Sequence, residues 1–276
     1  MTLSSELPLA DPDIKLRRVS ARLPFAGMRT VFALILREMS STYGRSAGGY
    51  IWVILEPVLG IAILSAIFSL GFRNPRLGSN FPIYYATGIL PFQFYSIVSG
   101  KVAQAIGYSR QLLTYPRVTF VDVIVARLIL NVLTQLIIGC IVLTGIRMSF
   151  DTRTTLDLSR LVLCYSMATA LAVGIGTLSC FLSSMFALWA RIWGIVTRPL
   201  FLISGTLFLY ETIPEPYRSW LWYNPLMHVT GEMRAAFYFS YDAPYVTPSY
   251  VFGVSGVCLM AGLLLLRRFH RDIREL

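Results

Sequence analysis

The sequence predicts an all-α membrane protein with six transmembrane helices and an amphipathic interfacial helix before them. Three observations lead there. The 276 residues are 55% hydrophobic and only 14% charged, whereas soluble domains carry about a quarter charged residues. Leu161–Ala190 contains no charge at all, and about 20 apolar residues already cross a ~30 Å hydrocarbon core. The chain is also basic, with a net charge of +10, and its Lys and Arg residues are placed unequally about the apolar runs.

The order of elements follows from composition. Residues 1–26 are polar, with Pro8, Asp11, Pro12 and Asp13 followed by Lys15, Arg17 and Arg18; they read as a flexible cytoplasmic tail. No signal-peptide core lies near Met1, so this segment is expected to stay on the side of synthesis. Over 27–42, Met28, Val31, Phe32, Ile35 and Met39 recur at helical spacing, with Arg29, Arg37 and Glu38 off that stripe. Such a helix lies in the membrane interface, apolar face down. The alternative is a cytoplasmic helix packed on a partner.

Six spans follow at 50–71, 82–100, 119–146, 161–190, 192–210 and 248–266. The fourth is longer than a bilayer requires at 1.5 Å per residue. It must tilt, loosen near Gly174 and Gly176, or run past the bilayer. With both termini cytoplasmic, fifteen Lys/Arg fall on the inner side and seven in outer segments (Arg73, Arg76, Arg147, Arg153, Arg160, Arg218 and Arg234). That bias obeys the positive-inside rule, and it assigns the basic charge to a membrane surface rather than to nucleic acid. Residues 267–276 form a basic cytoplasmic tail.

Few residues offer chemistry. No Gly-rich phosphate loop occurs; Gly100-Lys101-Val102 lacks both the preceding glycine and the following Ser/Thr. Cys140, Cys164, Cys180 and Cys258 lie inside apolar runs without metal or disulfide spacing, and read as buried small hydrophobes. His228 and Glu232 are four apart, but the further ligands of a zinc site are missing. Asp151 with Asp157, and Glu211 with Glu215, are the acidic pairs of the outer loops. Neither has a base nearby, which argues against a membrane-embedded glycan or lipid transferase.

Polar residues inside the spans are more suggestive. Asp122, Arg127, Asn131 and Gln135 lie in the third span, the last three stacked on one face. That face should look into the bundle or into water. It is either a path for polar cargo or a set of interhelical hydrogen bonds. Arg198, followed by Pro199, poses the same question in the fifth span. Residues 211–247 are rich in Trp and Tyr, which fit an aromatic belt or a surface on which sugar faces stack. The 101–117 segment carries Val102, Ala105, Ile106, Leu112, Leu113 and Tyr115. It is either a docking helix for a soluble partner or a loop folded under its own bundle.

Four strings resemble one family: LREMSSTYGRSAGGYIWVILEP (36–57), FPIYYATGILPFQFY (81–95), LLTYPRVTFVDVIVAR (112–127) and RPLFLISGTLFLYETIPEPYRSWLWYNPLMHV (198–229). They are similar to the permease subunits of bacterial capsule polysaccharide ABC exporters, with the O-antigen exporter permeases next. The resemblance spans roughly residues 28–270. It implies the type-two ABC exporter permease fold in the bacterial inner membrane, with short re-entrant outer gate helices over 213–240. It also implies a homodimer, two ATPase subunits that bind the ATP and magnesium, and a lipid-linked acidic polysaccharide as cargo. A periplasmic co-polymerase and outer-membrane export proteins are implied as further partners. By resemblance, Tyr108, Leu112, Tyr115, Pro116 and Arg117 couple to the ATPase. Arg37, Tyr43, Arg45, Trp52 and Glu56, with Pro57, form the substrate entrance. Trp220, Trp222, Tyr223, Asn224, Pro225, His228 and Glu232 form the outer gate. No cofactor is expected in the chain itself.

Overall fold

A computed structural model describes residues 26–43, 49–72, 75–113, 118–152 and 154–269. The predicted tail 1–26, most of the basic tail, and Arg45, Tyr115, Pro116 and Arg117 lie outside those residues or almost entirely so; Tyr43 closes a helix, but its side chain is not described. Ten α-helices are present among the described residues, with no strand. They are α1 (Ala26–Tyr43), α2 (Gly49–Gly71), α3 (Phe81–Ala103), α4 (Ala105–Tyr108), α5 (Phe120–Ser149), α6 (Leu158–Met185), α7 (Trp189–Ile203), α8 (Tyr217–Trp222), α9 (Pro225–Phe237) and α10 (Pro248–Arg268).

Four helical segments are long and apolar enough to cross a membrane: Ile51–Gly71, Phe120–Ser149, Leu158–Met185 and Pro248–Arg268. The chain is a multi-pass membrane protein. α3 and α7 overlie the other two apolar runs. α3 is the centre of the bundle and packs on α2, α5, α6 and α9. Its polarity (Thr87, Tyr84, Tyr95 and Ser99 are all buried) reflects that central place, since such groups are admitted inside a bundle and not toward lipid.

Lipid tails are as apolar as leucine, so helices in a membrane associate by close packing and not by the hydrophobic effect. Glycines carry that packing here. A Cβ on Gly174 of α6 would meet the backbone of Ser255 in α10, and one on Gly262 of α10 would meet Thr177–Leu178. Gly176 brings α6 against Ser99 and Val102 of α3. These glycines therefore do not loosen α6, which runs unbroken through them.

Two boundaries differ from the expectation. The charge-free run divides at Phe186–Leu188, so α6 stops at Met185 and α7 starts at Trp189. α7 then ends at Ile203, well before Tyr210. The cause is Ser204-Gly205: Gly205 adopts φ 71°, the left-handed conformation with which helices commonly terminate. At ~1.5 Å per residue, α7 is about 22 Å long.

The irregular 204–209 segment has its carbonyls captured by neighbouring side chains. Asn224 donates to Ile203 O (3.0 Å), Thr230 to Ser204 O (2.8 Å) and Tyr84 to Leu207 O (3.3 Å). Arg234 donates to Phe208 O (2.7 Å) and Thr206 O (3.2 Å). Non-helical backbone at membrane depth is tolerated when protein satisfies it in this way. Arg234 is thus buried (1% exposed) with its guanidinium over the Tyr84 ring. It is not a loop charge, as its place in the sequence suggested, but a buried residue of α9.

Helix starts follow ordinary capping chemistry. Thr119 and Asp122 form a reciprocal capping box on α5, so Asp122 belongs to that helix end and not to the buried polar face. Asp157 caps α6 by accepting from Ser159 N and Arg160 N. The Ser159 hydroxyl and these amides hold its carboxyl below the usual range. Cys164 and Cys180 are buried, whereas Cys140 is exposed on the outside of the bundle.

Candidate functional site

At the end of the bundle where α3 meets α4, one guanidinium joins four helices. Arg127 of α5 is 4% exposed. Its Nε lies 3.0 Å from Glu38 Oε1 in α1, and Nη1 donates to Lys101 O in α3 (2.9 Å). The Tyr108 ring of α4 lies 4.2 Å from the guanidinium carbon. Glu38 is itself buried. The helical stripe of α1 placed Glu38 among surface charges; instead it turns inward to the span. The sequence offered one hint, a lone arginine deep in an apolar helix that needed a counter-charge, but spacing alone does not select Glu38.

Asn131 and Gln135 share the buried face with Arg127. Asn131 donates to Arg127 O of its own helix (2.8 Å), a bond that ties no second helix.

α1 divides its surface. Leu34 and Glu38 turn to the bundle, while Met28, Phe32, Leu36 and Met39 form an exposed apolar stripe. Arg37 is exposed on the same helix. The segment after α3 also divides. Val102, Ala105 and Ile106 are buried under the bundle, and Leu112 is half-buried in a 3-10 turn (Arg110–Leu112). Tyr108, Gln104, Gly107 and Arg110 remain exposed. They line a groove of about 470 Å³ that reaches Ser183 and Ser184 of α6.

α2 and α7 stand on the outside of the bundle. Trp52 is 66% exposed, and Glu56 beside it is also exposed, with Pro57 buried behind. α7 has no buried residue, and Arg198 is exposed on it.

At the opposite end, the gate candidates separate into two groups. Trp222, His228, Tyr245 and Tyr250 form an aromatic cluster with ring centroids 5.0–6.1 Å apart, from Trp222–Tyr250 to His228–Tyr245. His228 is fully buried; its Nε2 lies 2.8 Å from Trp222 O, and Nδ1 accepts from Thr247 N. Those bonds fix the neutral Nε2–H tautomer and do not involve Glu232, which is buried in the field of Arg160. No group of metal-ligating residues occurs among the described residues. Asn224 caps α9 ahead of Pro225, besides tethering Ile203. Trp220, Tyr217 and Tyr223 are exposed at the rim.

Replacing His228 with Phe removes both bonds and strands a buried N–H and C=O. Each such orphan costs about 1–3 kcal/mol. The midpoint of thermal unfolding in detergent is expected to fall by several degrees, and an unchanged midpoint would refute the bridging role.

Glu211 and Glu215, one of the two acidic pairs, are separated into local contacts. Tyr241 donates to Glu211 (3.0 Å), while Glu215 accepts from the Ser219 hydroxyl (2.6 Å) and Arg218 (2.8 Å). The Ser219 bond and then Arg218 hold the Glu215 carboxyl below its ordinary range. Both carboxylates serve as acceptors for neighbours.

Comparison with known proteins gives the family. The ABC-2 type transporter family matches residues 29–238. The polysialic acid transport protein KpsM of Escherichia coli is 31% identical over 86% of this chain and 92% of its own length. The capsule polysaccharide export inner-membrane protein CtrC of Neisseria meningitidis serogroup B is 24% identical over 89% of this chain and 92% of its own. The O-antigen export system permease protein RfbA of Myxococcus xanthus is 32% identical over 32% of this chain and 33% of its own. With the family match covering most of its length and its helices arranged as a membrane bundle, the chain belongs to the ABC-2 type transporter family.

Proposed function

We propose that this chain is the transmembrane subunit of an ABC exporter that moves capsular polysaccharide across the bacterial inner membrane, driven by ATP hydrolysis in a separate subunit. The observation that carries this reading is the near full-length likeness to KpsM and CtrC, at 92% of their lengths. The chain is a transport permease, not an enzyme. An O-antigen or teichoic-type glycan is the second reading, favoured by the RfbA likeness, which covers only a third of either chain.

In this reading α2, α3, α5, α6, α7 and α10 are six spans, and both termini are cytoplasmic. α1 lies at the inner interface on its exposed apolar stripe, and α8 and α9 form the outer gate. Two copies assemble with two ATPase subunits. The cargo is a lipid-linked acidic polysaccharide, handed on to a periplasmic co-polymerase and outer-membrane export proteins. Arg37 and Arg45 are poised to meet an anchor phosphate, with Tyr43, Trp52 and Glu56 at the same entrance. Trp220 and Tyr223 offer ring faces to passing sugars.

Deleting the gene in its host is expected to remove surface glycan and trap polymer in the cytoplasm. Normal surface glycan, with no second copy of the gene present, would refute the proposal. Docking is tested by Tyr108→Ala, Tyr115→Ala and Arg117→Ala. Each is expected to weaken co-purification of the ATPase subunit while the permease still inserts. Full association and export in all three would remove the docking role from 101–117.

A further inference from the structure

We propose that Glu56 of one copy forms an ion pair with Arg198 of a second copy, twice across a symmetric dimer interface built from the exposed faces of α2 and α7. This rests on the two-copy, six-span reading above.

Among the six spans of this reading, α2 and α7 are the least covered by neighbours: 17% of the α2 span is buried, and no α7 residue is. On α2 the open face runs Trp52, Glu56, Leu59, Ile63 and Ile67. On α7 it runs Arg191, Ile195, Arg198 and Leu202. Each apolar face therefore carries a mid-helix charge, of opposite sign on the two helices. Neither Glu56 nor Arg198 has an ion-pair partner among the described residues.

Such charges are expensive toward lipid, about 2.5–3.5 kcal/mol for Arg or Asp even on the lowest scale. Depth and local structure match as well. Both helices start on the inner side in this reading. Glu56 then sits seven residues, about 10 Å, into α2, and Arg198 nine residues, about 14 Å, into α7. A proline inside each helix directly follows the charge, at Pro57 and Pro199. Proline leaves the carbonyl four residues earlier without its helical partner. Val53 O and Ile195 O thus make a polar notch beside each charge. A two-fold interface brings residue i to j and j to i, so two symmetry-related contacts satisfy all four charges.

The test uses the full permease–ATPase complex in membranes, with Cys140→Ser and Cys258→Ser as background. E56C/R198C is expected to give a covalent dimer with a short thiol-to-thiol crosslinker, and neither single cysteine is. E56R and R198E are each expected to lower export by about tenfold or more, and the double reversal E56R/R198E to restore most of it. Rescue is the deciding readout. Absence of rescue overturns the pair, even where crosslinking shows proximity. Native mass spectrometry separates the two levels: an intact dimer without rescue defeats only this pair, whereas a single permease copy per complex defeats the two-copy reading itself.

Discussion

Arg127→Ala is expected to abolish glycan export while leaving a membrane-inserted chain that no longer couples to its ATPase. The substitution removes the guanidinium from Glu38, a buried carboxylate, from Lys101 O and from the Tyr108 ring at once. Breaking a buried pair by removing one member costs about 3–5 kcal/mol. An ordinary polar contact between membrane helices contributes about 0.6 kcal/mol. The difference ranks this junction above the ordinary interhelical polar contacts of the bundle. Glu38→Ala should reproduce the defect, and Arg127→Lys should rescue little, because an ammonium is a single point charge without separate nitrogens to reach Glu38 and Lys101 O or a planar face to lay on Tyr108. Export by Arg127→Ala above about a tenth of wild type would show that the junction is dispensable.

A structural consequence gives the result its meaning. The guanidinium is the point where the surface helix α1, the end of α3, α4 and the span α5 touch one group. In the proposed complex, a push on α4 by an ATPase subunit would reach α5 through Tyr108 and α1 through Glu38. The expected signature is therefore ATP hydrolysis that persists while export stops, which simple unfolding would not produce.

The second large effect is expected at Gly174. A leucine there drives a side chain into the Ser255 backbone of α10, where neither helix can yield without losing the Gly262 contact on the same seam. Overpacking costs about 1–3 kcal/mol in a core that can shift side chains, and more where backbone is the obstacle. Gly174→Leu should leave little folded protein on size exclusion in detergent. Gly145→Leu, at a glycine with open space around it, should behave as wild type. Equal yields of the two variants would show that the α6–α10 seam does not depend on close approach.

Apolar run length made most of the helical layout legible, because a membrane demands continuous hydrophobic helix and tolerates little else. α2, α5 and α10 lie close to the runs that announce them. The α6–α7 break is different. Phe186–Leu188 is as apolar as its flanks, so composition carried no mark of it. The early end of α7 had a legible signal in Ser204-Gly205, but it competed with a hydrophobic run extending to Leu209. The carbonyl-capturing set of Asn224, Thr230, Arg234 and Tyr84 was beyond reach, since it depends on three distant segments converging.

The site residues show the same division. Periodicity placed Arg127, Asn131 and Gln135 on one buried face, because three residues four apart on a helix leave few choices. It could not supply Glu38, whose helix lies 89 residues away in sequence. Among the aromatic residues of 211–247, composition alone could not tell the packed Trp222 from the exposed Trp220, only two positions apart.

Transport by purified components tests the central claim most directly. The chain is reconstituted into proteoliposomes with lipid-linked capsular polymer, with and without the separate ATPase subunit. Polymer is expected to cross only when both proteins and ATP are present, with no nucleotide hydrolysis by the chain alone. Polymer crossing at the same rate without the ATPase subunit, or ATP hydrolysis by the isolated chain, would contradict the account.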